Sequence, residues 1–315
     1  MHFRGGYLLE QEDYPEDFEQ FIVRFATEQD CYDYISKIRW PNGFTCPRCC
    51  SGHYWLKTNK RPLMVCASCG LQTSITAGTV FQGTRKPLRL WFHVMWWMMS
   101  QKTGASAKNL QHTMGFKRYE TAWTWLHKLR HAMIRPGRDR LIGAVEVDET
   151  FIGGVEKDIK GRETETKTLV VIGVEVEEKK LGRIRFQIIP DASADSLIPF
   201  IKENITPGSC VITDGWLGYA PLRTENYQHV VHNISQSNES ASTLLPHVHL
   251  VVSLIKRWLM GTHQGAVSQK HLSEYLDEYA FRFNRRLSTH RGKLFYRLMQ
   301  QAVSTEPTFR QDIVS

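Results

Sequence analysis

LIGAVEVDETFIGG, residues 141–154, decides how the second half of the chain is read. Apolar and acidic residues alternate through it. Val145, Val147 and Glu149 fall on one face of a strand, Glu146 and Asp148 on the other. Two more β-rich runs follow closely, LVVIGVEVE (169–177) and RIRFQIIP (183–190), and together the three predict an antiparallel meander. ADSLIPFIKENI (194–205) then predicts a helix, SCVITDG (209–215) a buried strand and QHVVHN (228–233) a further strand. Long helices follow at about 246–260 and 269–286. Three strands and then alternating helices and strands suit an α/β fold, a mixed sheet flanked by helices.

Two acids in this region carry chemistry if they meet. Asp148 lies among the alternating residues of the first strand, and Asp214 ends the buried strand VITD just before a glycine turn. Hard divalent cations require oxygen ligands, and adjacent strand ends bring carboxylates together. HVHLVVSLIKRW (247–258) is an apolar helix that also carries His249 and Lys256. Seven residues make two helical turns, so these two side chains share one face.

Toward the N-terminus, ASAKNLQHTMGFKRYETAWTWLHKLRHAM has the form helix, turn at Gly115, helix, over 105–114 and 117–133. Ala122, Trp125, Leu126 and Leu129 can face a core, which leaves Lys117, Arg118, Thr121 and Lys128 outward. Seven Lys or Arg lie between 117 and 140, against Glu120 and Asp139. The pattern resembles a helix-turn-helix whose second helix enters a DNA major groove. RPGRDR (135–140) reads as a linker, LRLWFHVMWWMMS (88–100) lies in an apolar helix too short to cross a bilayer, and 17–40 reads as one helix with Phe18, Phe21, Ile22 and Phe25 on a face.

CPRC (46–49) and CASC (66–69) form two Cys-x-x-Cys knuckles. Cys46, Cys49, Cys66 and Cys69 match a closed four-thiolate site for structural Zn2+, which leaves no position open for catalysis. Cys50 adjoins the first pair without a partner at matching spacing, and His53 is a weaker ligand candidate than the four cysteines. Seven cysteines, an odd count with no secretory signal, argue against a disulfide framework. The loop WLKTNKRP (55–62) places aromatic and basic groups together, where they would contact phosphate or only solvent. The chain is 42% hydrophobic and 23% charged, as expected of a globular intracellular protein without a membrane span. Its formal charge of +8 and pI of about 9.1 fit a polyanion partner.

The ribbon cysteines, VEVDETFIGG (145–154), ITDG (212–215) and the LIKRWLMGTH…HLSEYLDEYAFRFNRR tail occur in a specific order. In that order they resemble a bacterial insertion-sequence transposase of the D-D-E type, insertion sequence family fifteen-ninety-five, over about residues 17–300. The resemblance implies an N-terminal helical segment (1–40), a zinc ribbon (41–76), a helix-turn-helix DNA-binding region (77–135), an RNase H-like catalytic domain with C-terminal helices (140–300) and a tail (301–315). It implies Asp148 and Asp214 as ligands of catalytic Mg2+ or Mn2+, with Lys256 on DNA phosphate. His249 stands where such enzymes usually place a glutamate, and imidazole suits manganese better than magnesium. Glu239 lies at the wrong spacing to replace it, whereas Glu146 shares the strand face of Asp148. The implied function is cleavage at the terminal inverted repeats and transfer of the freed 3′-hydroxyl to target DNA. A homodimer would act on double-stranded DNA, in a bacterial cytoplasm at the nucleoid. A domesticated, catalytically impaired DNA-binding regulator and an RNase H-like nuclease without strand transfer are the alternatives.

Overall fold

The computed structural model describes residues 12–57, 62–135, 137–153, 167–178, 180–233, 240–263 and 267–314. The chain forms two compact units, one of residues 1–101 with 288–315, the other of residues 102–287.

The first unit begins with helices α1 (Phe18–Arg24) and α2 (Glu28–Arg39). The sequence reads as one helix here, and the chain breaks it at Thr27. The Thr27 hydroxyl accepts the Asp30 N–H, and the Asp30 carboxylate accepts the Thr27 N–H, so a new helix starts there. A three-stranded antiparallel ribbon follows, in the order β1 (Tyr54–Lys57), β2 (Leu63–Cys66), β3 (Gln72–Ser74), and then the apolar helix α3 (Leu88–Ser100).

The second unit opens with α4 (Ala107–Met114) and α5 (Tyr119–His131). Ser106 caps α4 by accepting the Asn109 N–H, and Gly115 ends it at φ 67, the left-handed region that glycine enters without a Cβ clash. The sheet comes next: β4 (Ala144–Ile152), β5 (Thr168–Glu177) and β6 (Lys180–Ile188), then helix α6 (Ala194–Asn204), and then β7 (Cys210–Asp214) and β8 (Gln228–His232). The spatial order is β6-β5-β4-β7-β8, antiparallel through the first three and parallel through the last three. This is the RNase H-like arrangement. The short helix α7 (Ala241–Leu244) leads into α8 (Pro246–His263), and α9 (Leu272–Phe283) ends the unit.

Strand alternation sends the two faces of the sheet into separate cores. Val145, Val147, Val171 and Val211 pack with Leu197, Phe200 and Ile201 of α6 and with Tyr219 and Leu222. Val170, Ile172, Val174, Ile184 and Phe186 pack with Val248, Val251, Ile255 and Leu259 of α8 and with α9. Beneath α5, the fully buried Glu278 of α9 accepts the Arg130 Nε–H at 2.7 Å and pairs with Arg282.

Helices α10 (Arg291–Ser304) and α11 (Arg310–Val314) belong to the first unit. The family resemblance places residues up to 300 with the catalytic domain. In the structure Phe295 of α10 instead stands among Phe21, Phe25, Tyr34, Phe92 and Trp96, with ring centroids 5.5 to 6.2 Å away. Among the described residues no helix is long and apolar enough to cross a membrane.

Candidate active site

In the ribbon, the two Cys-x-x-Cys turns fold alike. The Cys50 N–H donates to the Cys46 carbonyl and the Gly70 N–H to the Cys66 carbonyl, each at 2.9 Å. The Cys46 and Cys66 N–H groups donate in turn to the Ser51 and Leu71 carbonyls. Cys50 and Gly70 occupy the same left-handed position, at φ 58 and 68. The backbone places Cys50 at that corner, away from the ligand set, and His53 is likewise outside the cluster.

The four sulfurs all lie within 4.8 Å of one another, with Cys46 to Cys69 at 3.6 Å and Cys49 to Cys66 at 3.5 Å. Four Zn–S bonds in a tetrahedron give edges of about 3.8 Å, so the set fits zinc. Burial opposes ionisation of Cys66, and the Cys69 and Ser68 N–H groups outweigh it, bringing that thiol down to about 6. The Ser51 N–H favours a Cys49 thiolate, but hydrogen bonding with Cys66 and Cys69 pushes it up to about 12. Zinc takes cysteines as thiolates, so its binding would release their protons.

The loop tip at residues 58–61 lies outside the described residues. Beside it, Tyr54, Trp55 and Leu56 of β1 are exposed.

In the second unit, β4 and β7 pair in parallel, with Ala144 opposite Cys210 and Glu146 opposite Ile212. Asp148 and Asp214 each lie two residues beyond that last pair, on the same strand faces as Glu146 and Ile212. Both then point to the α8 side of the sheet, as Ile212 does. Asp148 Oδ1 accepts the Glu149 N–H and Asp214 Oδ1 accepts the Trp216 N–H, which fixes both carboxylates locally.

Helix α8 lies along β4. Glu146 accepts the His247 and Val248 N–H groups at 2.9 and 2.8 Å, and its other oxygen lies 2.6 Å from His247 Nδ1. A buried carboxylate thus caps the helix start, where unpaired N–H groups and the helix dipole both favour an anion. Two residues along the strand, Asp148 Oδ2 faces His249 Nε2 at 3.6 Å. Two further along, Thr150 Oγ1 accepts from Lys256 Nζ at 2.9 Å. The spacing is self-consistent: four strand residues advance about 13 Å and nine helical residues about 13.5 Å.

The structure therefore brings Asp148, Asp214, His249 and Lys256 to one side of the sheet. Asp148, Asp214 and His249 are not among the groups whose ligand atoms all close within 4.8 Å. Burial lowers the His249 pKa and Lys256 assists, against Glu146 and Asp214, so the imidazole favours its neutral, ligating form. Burial also lowers Lys256, with Lys167 adding to the effect and Asp148 opposing it. Glu146 takes a different position from a ligand: its oxygens are engaged by α8. Glu239 lies outside the described residues. On the opposite face, Glu149 accepts from the buried Tyr219 hydroxyl at 2.9 Å.

Of the residues expected to face DNA, Lys117 and Arg118 are exposed, and Thr121 and Lys128 are half-buried. Other cations nearby have structural partners. Arg130 pairs with Glu278, Arg135 with Asp139, Arg138 donates to Asn204 and Arg140 to the Glu203 carbonyl. Burial of Arg130 carries no local sequence signal, because its partner lies 148 residues away.

Comparisons with known proteins find matches for both regions of the chain. Residues 140–284 match the family model of the ISXO2-like transposase domain, and residues 26–72 that of the transposase zinc-ribbon domain. An uncharacterized protein in transposable element ISH50 of Halobacterium salinarum is 26% identical over 287 residues, spanning 83% of this chain and 92% of that protein. Two solved structures, the Mos1 strand transfer complex and a pre-cleavage Mos1 transpososome, are each 13% identical. They cover 67% and 68% of this chain and 74% and 78% of theirs, at TM-scores of 0.28 and 0.26. With an ISXO2-like transposase domain behind a transposase zinc ribbon, the chain belongs to the transposases of insertion sequence family fifteen-ninety-five.

Proposed function

We propose that this transposase binds the terminal inverted repeats of an insertion sequence and catalyses divalent-metal-dependent strand cleavage and strand transfer. The reading rests on one observation: His249 Nε2 of α8 faces Asp148 Oδ2 at 3.6 Å and Lys256 Nζ donates to Thr150 Oγ1, both on the strand that pairs in parallel with the one ending in Asp214. Asp148 and Asp214 would hold Mg2+ or Mn2+, with His249 as a nitrogen ligand or phosphate contact. Such ions, when bound, polarise the phosphodiester and make water or a 3′-hydroxyl nucleophilic. Lys256 would bind a non-bridging phosphate oxygen, and its link to Thr150 would aim it. Zn2+ on Cys46, Cys49, Cys66 and Cys69 would hold the ribbon together. Lys117, Arg118, Thr121 and Lys128 would contact the duplex. Cutting two element ends calls for a homodimer on DNA, acting in the cytoplasm at the nucleoid.

Single-turnover cleavage of duplexes carrying the cognate ends, with Mg2+ or Mn2+, tests this reading. Asp148→Asn and Asp214→Asn should each reduce both cleavage and joining to background while the ends stay bound. Cleavage that survives either substitution would remove the pair from the chemistry.

His249 at a position usually held by glutamate favours a second reading, a DNA-binding regulator without catalysis. End binding with no cleavage by the unmodified chain in either metal would select it. Cleavage without joining would instead mark a nuclease.

A further inference from the structure

A second group of metal-ligating side chains lies far along the chain from the ribbon and outside the carboxylate site. His127 comes from α5, His271 from the turn before α9, and Glu274 from the first turn of α9. One ligand atom from each lies within 4.8 Å of the others. His127 Nδ1 is 4.0 Å and His271 Nδ1 3.5 Å from Glu274 Oε1. A tetrahedral zinc with nitrogen and oxygen ligands has edges of about 3.3 Å, so the group is slightly wider than its bound form.

Two observations separate this cluster from an ordinary polar contact. The His127 side chain is only 1% exposed, yet neither of its ring nitrogens has a hydrogen-bond partner, and His271 Nδ1 also has none. Buried polar atoms left unpaired cost about 1–3 kcal/mol each, so such atoms persist where something answers them. The surroundings also suit a cation. Trp123 and Tyr275 wall the imidazoles, with ring centroids 4.2 and 5.6 Å from His127. The nearby Arg130 charge is neutralised by Glu278, while the Glu274 carboxylate remains to balance a divalent ion. Two imidazoles and one carboxylate form a common zinc set, and His271 and Glu274 at i and i+3 share one side of their turn.

We propose that His127, His271 and Glu274 bind a second zinc ion, which ties the second helix of the helix-turn-helix to α9 of the catalytic unit. With three protein ligands the ion keeps a fourth position for water or a further donor. Its role is mechanical: α5 carries Lys128 on the same helix as His127, so the ion would set how rigidly that helix is presented to a duplex.

Zinc content per chain tests the proposal, measured by elemental analysis of the full-length protein after dialysis against zinc and passage over a chelating resin. The unmodified protein should hold two equivalents. Glu274→Gln and His271→Gln should each hold one. Cobalt substitution identifies the ion lost, because only the ribbon gives thiolate charge-transfer absorption, and that band should persist in both variants. A missing thiolate band together with one ion lost on Glu274→Gln would count against the ribbon zinc and still support this site. One equivalent in the unmodified chain with the thiolate band present, or an unchanged content in both variants, would overturn the proposal. Far-ultraviolet circular dichroism checks that Glu274→Gln, a change at a side chain 24% exposed, leaves the fold intact.

Discussion

At the scale of single residues, His249 is the sharpest test of the site. Its Nε2 faces Asp148, and its imidazole favours the neutral form because it is partly buried. A ligand or phosphate contact predicts that His249→Ala lowers single-turnover cleavage by at least about a hundredfold with little change in Tm. His249→Glu should keep or raise activity and shift the preference from manganese toward magnesium, since a hard oxygen replaces nitrogen. A histidine serving only the core predicts the reverse, a lowered Tm with chemistry intact. The position was legible in sequence, because His249 and Lys256 are two turns apart on an apolar helix. The role of Glu146 was not. Nothing local says that a strand glutamate will cap a helix that begins a hundred residues later.

At the scale of elements, the strands were the easiest to read. Alternation in β4 and the β-rich runs of β5 and β6 carry their own period, and the Asp148 and Asp214 faces follow from it. The break at Thr27 was missed, although the Thr27 and Asp30 pair that makes it is present in the sequence. Residues 291–304 show Leu294, Phe295, Leu298, Met299 and Ala302 at helical spacing, all buried in the structure, so that helix was legible but unread. The helical region reads differently once its partners are known. Arg130, Arg135, Arg138 and Arg140 each have an acceptor, which leaves Lys117 and Arg118 as the exposed cations at the start of α5. Replacing both with Ala should weaken binding to the element ends and lower the slope of log K against log salt by about 2. An unchanged slope, measured by fluorescence anisotropy over a salt series, would move the DNA surface to the ribbon.

At the scale of the whole molecule, each unit has its own source of stability. Chelation of the ribbon zinc, or Cys66→Ser, should unfold the ribbon while the sheet unit keeps its cooperative melting transition, as two-step calorimetry would show. The sheet unit has an acid-sensitive element of its own. Burial would raise the Glu278 carboxyl, but Arg130 and Arg282 outweigh it and hold it down at about 2, against 4.5 when unfolded. A depressed carboxylate contributes stability that is complete above the unfolded value and is lost as pH falls through the folded one. The Tm of the sheet unit should therefore fall steeply between about pH 5 and pH 2.5. Glu278→Gln should flatten that fall and cost about 3–5 kcal/mol at neutral pH, because Arg130 is left buried without its anion.

The placement of Phe295 among the aromatic rings of the first unit bears on how the protein is made. The ribosome delivers α1, α2 and α3 early, but the ring that fills their centre only after the sheet has been synthesised. A nascent chain halted after residue 287 holds all five described strands of the sheet unit while the aromatic cluster still lacks Phe295. The sheet unit can thus close as it emerges, whereas the unit that starts the chain must wait for the last helices. Loss of those helices would harm the beginning of the protein before its sheet unit.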